Sequence, residues 1–475
     1  MPKGVRKWRL HHFMFDFRGH QGPLRDPLAE VHIRKEIGDA FIAEYFKTIH
    51  PQLPVLVQSE IEETWAKFWD TPAIDPKPLK GKELVLIVLA LGARVSCVKG
   101  KYEASQLENW AAYFAERTEL SSTFMLSPNL KATHFMLLKA MYSLQLMKQN
   151  DAYLYLGYAA RSALSLGIHK SEVVQGNSIS RHRLRTTFWV IYGLERACSL
   201  FSGRPSSILD DQIDAAYPED VVHSAPDSIL TGPCADLTFV RVCAEMGRIA
   251  NTMASGLYFP RSVRRVSDLA AIANVAQECT AALESLAHSL PKFLHFYDTQ
   301  LPVGENWQEI QRAQIGMRYY LMRILIHRPA LTYATFFPSR AEAQRTAGNL
   351  FDIQTSIAVS VTCAKSIIHI ASELCSRRNP DMSQDGGVSF YLLIACITLL
   401  FDVLDPATTP EYAKATFEAV ESGIQVLDTM QHIGPNNSKE LSLDIMKFAK
   451  DAVLSGGEDI DLERDLTGSF PWLRK

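Results

Sequence analysis

Helical spacing of apolar residues is the feature that most limits how this 475-residue chain can fold. Leu137, Met141 and Leu144 fall on one helix face, and the run 156–164 repeats the pattern after the polar turn "KQND". Alternation of apolar and polar residues long enough for a β-sheet is missing from the sequence. The chain is therefore predicted to be all-α, with these two helices antiparallel, and a stacked array of such helix pairs is compatible with the pattern.

Periodic segments outside this pair predict the remaining helices and the core. We expect further helices at 37–49, 60–69, 82–97, 103–117, 180–200, 236–255, 266–288, 306–328, 350–375, 388–403, 411–430 and 438–454. The core is expected to include Leu137, Met141, Leu156, Ala160, Phe188, Trp189, Ile191, Leu325, Leu393 and Ile397. A basic N-terminal arm is predicted at 1–34, one all-α domain at 35–455, and an acidic C-terminal tail at 456–475.

Composition excludes several classes of protein. A hydrophobic content of 47% with 21% charged residues is typical of a folded soluble protein, and the net charge of −3 gives no global attraction to nucleic acid or anionic membranes. The uncharged stretch 386–401 is shorter than the roughly 20 residues that cross a bilayer, so it predicts a buried core helix and no membrane association. Eight scattered cysteines, without any Cys-x-x-Cys pair, indicate buried thiols in a reducing compartment.

The N-terminal arm is basic. Residues 1–35 contain eight Lys or Arg against three acids. Such an arm can contact phosphates or act as a nuclear signal, and it can also be a disordered cationic tail without a partner.

The spacing of Asp210, Asp211 and Asp214 is that of a magnesium site in all-helical prenyl-diphosphate enzymes. Such a site needs a continuous helix, but glycine and proline at Gly203–Pro205 and at Pro218 interrupt one on both sides. A second metal motif is missing from 230–430. We therefore expect the three acids at a surface corner, with at least one capping a turn or pairing with an arginine. No catalytic, cofactor-binding or metal-binding residue is predicted, and the magnesium enzyme is the alternative hypothesis.

The helix predicted at 180–200 carries a carboxylate on its apolar stripe. Leu184, Phe188 and Ile191 are followed on the same face by Glu195. Burial of an unpaired carboxylate costs several kcal/mol, so a guanidinium partner is predicted, with Arg204 favoured and Arg196 as the alternative.

Three further expectations concern caps and polar positions. Ser180 is expected to cap this helix and Gly167 to end the preceding one. The arginines at the start of this helix, Arg181, Arg183 and Arg185, are expected to form a solvent face. His327, near the end of an apolar helix, is expected to pack there and not to act as a base.

Four motifs follow one another within residues 153–220: Gly-Ile-His at 167–169, a basic Trp-containing helix at 181–189, Gly203-Arg204-Pro205, and the acidic turn 210–214 before Pro218. In this order they resemble the fungal-specific transcription factor domain, or middle homology region, of zinc binuclear cluster regulators. Weaker similarity extends from about 35 to 450. The resemblance implies a single all-α fold, an extended multi-helix array of packed antiparallel helix pairs. The structural signature residues implied by the family are Gly203, Arg204, Pro205, Asp211, Asp214, Glu195 and Trp189.

The resemblance implies a nuclear regulator of RNA polymerase II genes that acts with the transcription machinery or a DNA-binding partner and is not an enzyme. It also admits pathway-specific control, a small-molecule effector and a homodimer. Family members bind DNA through six N-terminal cysteines that hold two zinc ions, but no cysteine precedes Cys97 in this sequence. Either the sequence begins after such a cluster or the natural protein lacks it, so DNA is expected to be contacted only indirectly or through that missing cluster.

Overall fold

A computed structural model of the chain describes residues 33–70, 81–96, 102–118, 128–221, 231–258, 266–349, 352–405 and 407–430. Within these ranges the protein is helical and contains no strand. The helices are α1 Lys35–Glu44, α2 Gln58–Asp70, α3 Lys82–Val95, α4 Ala104–Glu116, α5 Leu130–Gln145, α6 Gln149–Ser165, α7 Ser171–Val174, α8 Ile179–Ser202, α9 Thr238–Met253, α10 Val266–His288, α11 Asn306–Ala334, α12 Arg340–Ala347, α13 Ile353–Glu373, α14 Gly386–Val403 and α15 Pro410–Asp428. The predicted all-α fold class is confirmed.

The N-terminal core is built around α3, which packs against α1, α4 and α5, while α5 packs against α6. Nearly every residue of α3 is buried, which explains its unbroken apolar sequence "LVLIVLAL". At Gly92 the neighbouring helix is so close that an added Cβ would lie 1.9 Å from the Phe41 carbonyl oxygen. Glycine is therefore required there by a backbone contact between α1 and α3.

The C-terminal core is centred on the long pair α11 and α13, with α14 and α15 packed against α13. Helices α8 and α9 join the two cores. Phe188 and Trp189 of α8 lie in the N-terminal core, whereas Leu200, at the other end of the same helix, lies in the C-terminal core. All the core residues predicted from the sequence are buried.

Two stretches, 353–378 and 386–403, are long and apolar enough to cross a membrane by length and composition. In α14, however, 78% of the apolar window is buried against other helices of the protein. This burial accounts for the apolar sequence of α14, as predicted for a core helix.

Most helix bounds agree with the prediction to within a few residues, but three local features differ. The helix predicted to stop at 328 continues through Pro329 to Ala334. Proline cannot donate to the carbonyl four residues back, and the Tyr258 hydroxyl instead donates to that oxygen, on Leu325, at 2.5 Å. The short helices α7 and α12 were not predicted.

The other differences concern a cap and the chain ends. Ser178 caps α8 by accepting from the Arg181 amide at 3.3 Å, so the assignment of this cap to Ser180 is wrong. Gly167 follows α6 with φ +71°, and the Ile168 amide donates to the Ala163 carbonyl at 3.2 Å, which confirms its capping role. The predicted arm at 1–34 (apart from 33 and 34), helix at 438–454 and tail at 456–475 lie outside the described residues.

Candidate functional site

The Gly-Arg-Pro motif forms the corner that follows α8. Gly203 has φ +63°, a left-handed conformation that glycine adopts without steric cost. The amides of Gly203 and Arg204 donate to carbonyls of the last helical turn, those of Leu200 at 3.1 Å and Ser199 at 2.9 Å. The chain thereby reverses direction, and the next residues pass back along α8.

This reversal supplies the partners of Glu195, whose side chain is only 1% exposed. Its Oε1 accepts from the Ser207 amide at 2.6 Å and its Oε2 from the Ser206 hydroxyl at 2.6 Å. The Ser199 hydroxyl adds a third hydrogen bond at 3.3 Å. The requirement for a partner is met, but the predicted guanidinium partner is wrong, because hydroxyl and amide donors from the corner hold the carboxylate.

Arg196, one residue later, has a different partner. Its guanidinium donates to Asp210 Oδ1 at 2.8 Å and to the Ile208 carbonyl at 2.7 Å. Asp210 also accepts from the Tyr192 hydroxyl at 2.7 Å and from Asn251 of α9 at 2.9 Å. Burial raises the pKa of Tyr192 above its ordinary value, and the hydrogen bond to Asp210 adds to that shift. The network joins α8, the corner and α9.

The other acids of the motif face elsewhere. Asp211 is exposed. Asp214 accepts from the Ser171 amide at 2.9 Å and from the Ser171 hydroxyl at 3.3 Å, and the amide hydrogen bond lowers the pKa of Asp214. Asp210 and Asp214 are thus held by different elements, as expected for a structural corner with one acid paired to an arginine. Among the described residues no group of His, Cys, Asp and Glu is arranged to hold a metal.

Trp189 and Arg204 complete the signature. The Trp189 indole donates to the Ala216 carbonyl at 2.8 Å, and the centroids of the Trp189 and Tyr217 rings are 4.4 Å apart. The segment that follows the acids is therefore packed against α8. The Arg204 guanidinium donates to Asn150 and lies over the Tyr153 ring, 5.0 Å from its centroid. The Tyr153 hydroxyl donates to the Pro205 carbonyl at 2.9 Å.

The arginines that begin α8 also have protein partners. Arg183 forms a two-point contact with Glu60 at 2.7 and 3.0 Å. Arg185 is buried and donates to the carbonyls of Val174 at 2.6 Å and Gly176 at 2.9 Å. The expectation of a solvent face is therefore wrong for Arg185, which holds the segment before α8.

A pocket lies in the C-terminal core, between α11, α14 and the end of α8. It encloses about 940 Å³ of atom-free space, including its open mouth. Its lining is predominantly apolar and consists of Phe201, Leu321, Ile324, Leu325, Arg328, Leu331, Thr332, Thr335, Phe390, Ile394, Ile397, Thr398 and Phe401. The apolar residues among them have the sequence pattern of ordinary core positions. That pattern does not indicate a cavity.

Arg328 is the one charged residue among those lining positions. Its side chain is half-buried, and its guanidinium makes no hydrogen bond or ion pair with any residue that the structure describes. The preceding His327 packs between α11 and α13, with Nδ1 3.3 Å from the Ser356 hydroxyl, and burial lowers its pKa to about 4. It packs there as predicted, and it is not among the residues lining the pocket.

The corner lies within a segment that matches a known protein family. Residues 42–262 match the family model described as the fungal specific transcription factor domain. This part of the chain is a fungal-specific transcription factor domain. The matched residues contain most of the N-terminal core, the corner and α9. Apart from Phe201, the pocket lies beyond the matched residues.

Curated relatives are also regulators of transcription. An uncharacterized transcriptional regulatory protein of Schizosaccharomyces pombe is 25% identical over 351 residues, which are 71% of this chain and 43% of that protein. The transcription factor FBD3 of Gibberella moniliformis is 25% identical over 245 residues, 50% of this chain and 32% of its own. The transcriptional activator protein acu-15 of Neurospora crassa is 20% identical over 433 residues, 88% of this chain and 43% of that protein.

The chain thus spans less than half the length of these relatives. Each of them is named as a regulator and none as an enzyme. No solved structure is significantly similar to the chain.

Proposed function

We propose that the chain is the regulatory part of a nuclear regulator of fungal RNA polymerase II genes and is not an enzyme. The observation that carries the proposal is the family match over 42–262. The engagement of Asp210 with Arg196, and of Asp214 with Ser171, gives no support to a magnesium-dependent reaction on prenyl diphosphates.

The proposed regulator acts through partners. We infer that the helical surface contacts the transcription machinery or a DNA-binding partner, and that DNA is reached through such a partner or through a zinc cluster. A small-molecule effector and a homodimer belong to the same proposal. Glu195, Trp189, Arg204 and Asp214 are proposed to hold the domain in its active shape, since their contacts join α6, α8 and the corner.

The test is a tethering experiment. Residues 1–475 are fused to a heterologous DNA-binding domain, and transcript from a reporter carrying the matching sites is measured in fungal cells on several carbon and nitrogen sources. The control is the same DNA-binding domain alone, at equal protein level. We expect transcript to rise or fall relative to the control in at least one condition. Identical transcript in all conditions would refute the proposed role.

A further inference from the structure

We propose that the pocket between α11 and α14 binds a small amphipathic acid, a molecule with an apolar body and one anionic group, which contacts Arg328. The binding of such a molecule is argued only from the residues that line the pocket. Its role as an effector site rests on the proposed regulatory function.

The walls of the pocket fit a small organic molecule, because ligand sites in proteins are concave and lined mostly by apolar and aromatic side chains with a few polar groups. Phe201 of α8, with Phe390 and Phe401 of α14, contributes half-buried aromatic surface, and leucine and isoleucine of α11 and α14 supply the rest. An apolar body that covers these side chains gains free energy by removing them from water.

Arg328 determines which polar group the ligand carries. Guanidinium groups in proteins ordinarily pair with carboxylate or phosphate, because their N–H donors match the geometry of those oxygens. None of the pocket's lining residues is acidic, and in the described part of the chain no other side chain pairs with Arg328. A cation left half-buried among apolar side chains is stabilised most by an anion brought in with the ligand.

The threonines of the pocket do not compete for this role. Their hydroxyls already donate to carbonyls of their own helices: Thr332 to Arg328 at 3.0 Å, Thr335 to Thr332 at 2.7 Å and Thr398 to Ile394 at 2.8 Å. With their protons committed, these oxygens present lone pairs to the pocket. They can accept from a ligand hydroxyl, but they offer an anion no donor, so the anionic group is directed to Arg328.

The proposal is tested by isothermal titration of the purified 475-residue chain with decanoate and, separately, with decan-1-ol, which has the same apolar chain and no charge. We expect decanoate to bind at least tenfold more tightly, a ratio that corresponds to about 1.4 kcal/mol. Arg328→Met should remove this preference and leave decanol affinity within about twofold, because it removes the charge and preserves the apolar stem. Arg161→Met, at an exposed arginine of α6 outside the pocket, is the matched control and should change neither.

Two further variants test the charge at Arg328 and the occupancy of the pocket separately. Arg328→Glu should reverse the selectivity, so that decylamine binds more tightly than decanoate. Thr398→Phe, which fills the pocket from α14, should weaken both decanoate and decanol, and circular dichroism checks that each variant is folded. Equal binding of decanoate to the wild type and to Arg328→Met, or no binding of either ligand to the folded wild type, would overturn the proposal.

The outcomes also separate this inference from the proposed function. Decanoate binding without any effect of the tethered chain on transcription would leave the pocket assigned and remove the regulatory role. A tethered chain that alters transcription, but whose purified form binds neither decanoate nor decanol, would support the regulatory role and remove the ligand assigned to the pocket. An assembly of two chains through the pocket would appear as concentration-dependent mass in light scattering that Thr398→Phe abolishes, and it would replace the ligand as the occupant.

Discussion

The corner after α8 and the pocket beside α11 both place an arginine against apolar helices, but the two arginines differ in their partners. Arg196 at the corner meets Asp210, Asn251 and a backbone carbonyl. Arg328 at the pocket meets none of these kinds of partner in the described part of the chain. A guanidinium whose hydrogen bonds are made within the protein contributes to stability, whereas one without partners is available to a ligand.

Replacing Arg196 should lower the stability of the protein more than any other change considered, whereas replacing Arg328 should hardly change it. Arg196→Met leaves the half-buried Asp210 carboxylate without its cation and removes the 2.7 Å donor of the Ile208 carbonyl, which keeps only the Ser206 hydroxyl at 3.4 Å. Breaking a buried pair in this way costs about 3 kcal/mol of unfolding free energy. Arg328→Met breaks no interaction with the described residues and should change the unfolding free energy by no more than about 0.5 kcal/mol. Urea denaturation followed by tryptophan fluorescence measures both.

The same two variants could also show that Arg196 and Arg328 do not differ in their partners. A loss at Arg328→Met as large as that at Arg196→Met would mean that Arg328 has a structural partner, and the pocket would then lose its reason to recruit an anion. Asp210→Asn serves as the corner's matched control. It keeps the side-chain volume and one accepting oxygen, but its amide nitrogen cannot accept the hydrogen bond from Asn251, so it should cost about 1 to 2 kcal/mol.

Acid should affect the N-terminal core through its buried histidines. His134 is 2% exposed, with Nε2 2.9 Å from the Thr187 hydroxyl, and burial lowers its pKa to about 3, assisted by Arg183. Below the unfolded-state pKa of about 6.5 the unfolded chain binds a proton that the folded chain does not, so stability falls from about pH 6.5 towards pH 3. At pH 5 this one histidine should cost about 2 kcal/mol.

His134→Gln tests this assignment. The variant should lose about 2 kcal/mol less than the wild type when unfolding is compared between pH 7 and pH 5. His327→Gln, near the pocket, provides a comparison in the other core, where the histidine is half-buried and its pKa is about 4. Parallel pH curves for wild type and His134→Gln would show that this histidine is not held neutral.

The helices and the core were predictable because their signal is local and repeated. The bounds of α10 at 266–288 and the start of α3 at 82 agree with the sequence-based prediction. Helix α12 was missed because it is short and polar, and its only apolar residues are alanines, which do not mark a buried face. The continuation of α11 through Pro329 was missed because the compensating donor, Tyr258, lies 67 residues away in the chain.

The site was predictable only in part, for a related reason. A carboxylate on the apolar stripe of α8 indicates that Glu195 is paired, but it does not indicate the partner, which depends on how Gly203 reverses the chain. That reversal brings the Ser206 hydroxyl and the Ser207 amide to Glu195, while Arg204 turns to α6. The pocket gave no signal at all, because cavity-lining and core-filling apolar residues look the same in sequence.

Arg204 is expected to contribute less to stability than Arg196 and more than Arg328. It is half-buried, it donates to Asn150 and it lies over the Tyr153 ring. Contacts of this kind near the surface are worth about 0.5 to 1 kcal/mol, so Arg204→Gln should lower the unfolding free energy by about that amount in urea. Decanoate affinity should be unchanged, since Arg204 does not line the pocket. A loss comparable to that of Arg196→Met would instead make Arg204 a principal support of the corner, as the pairing with Glu195 would have required.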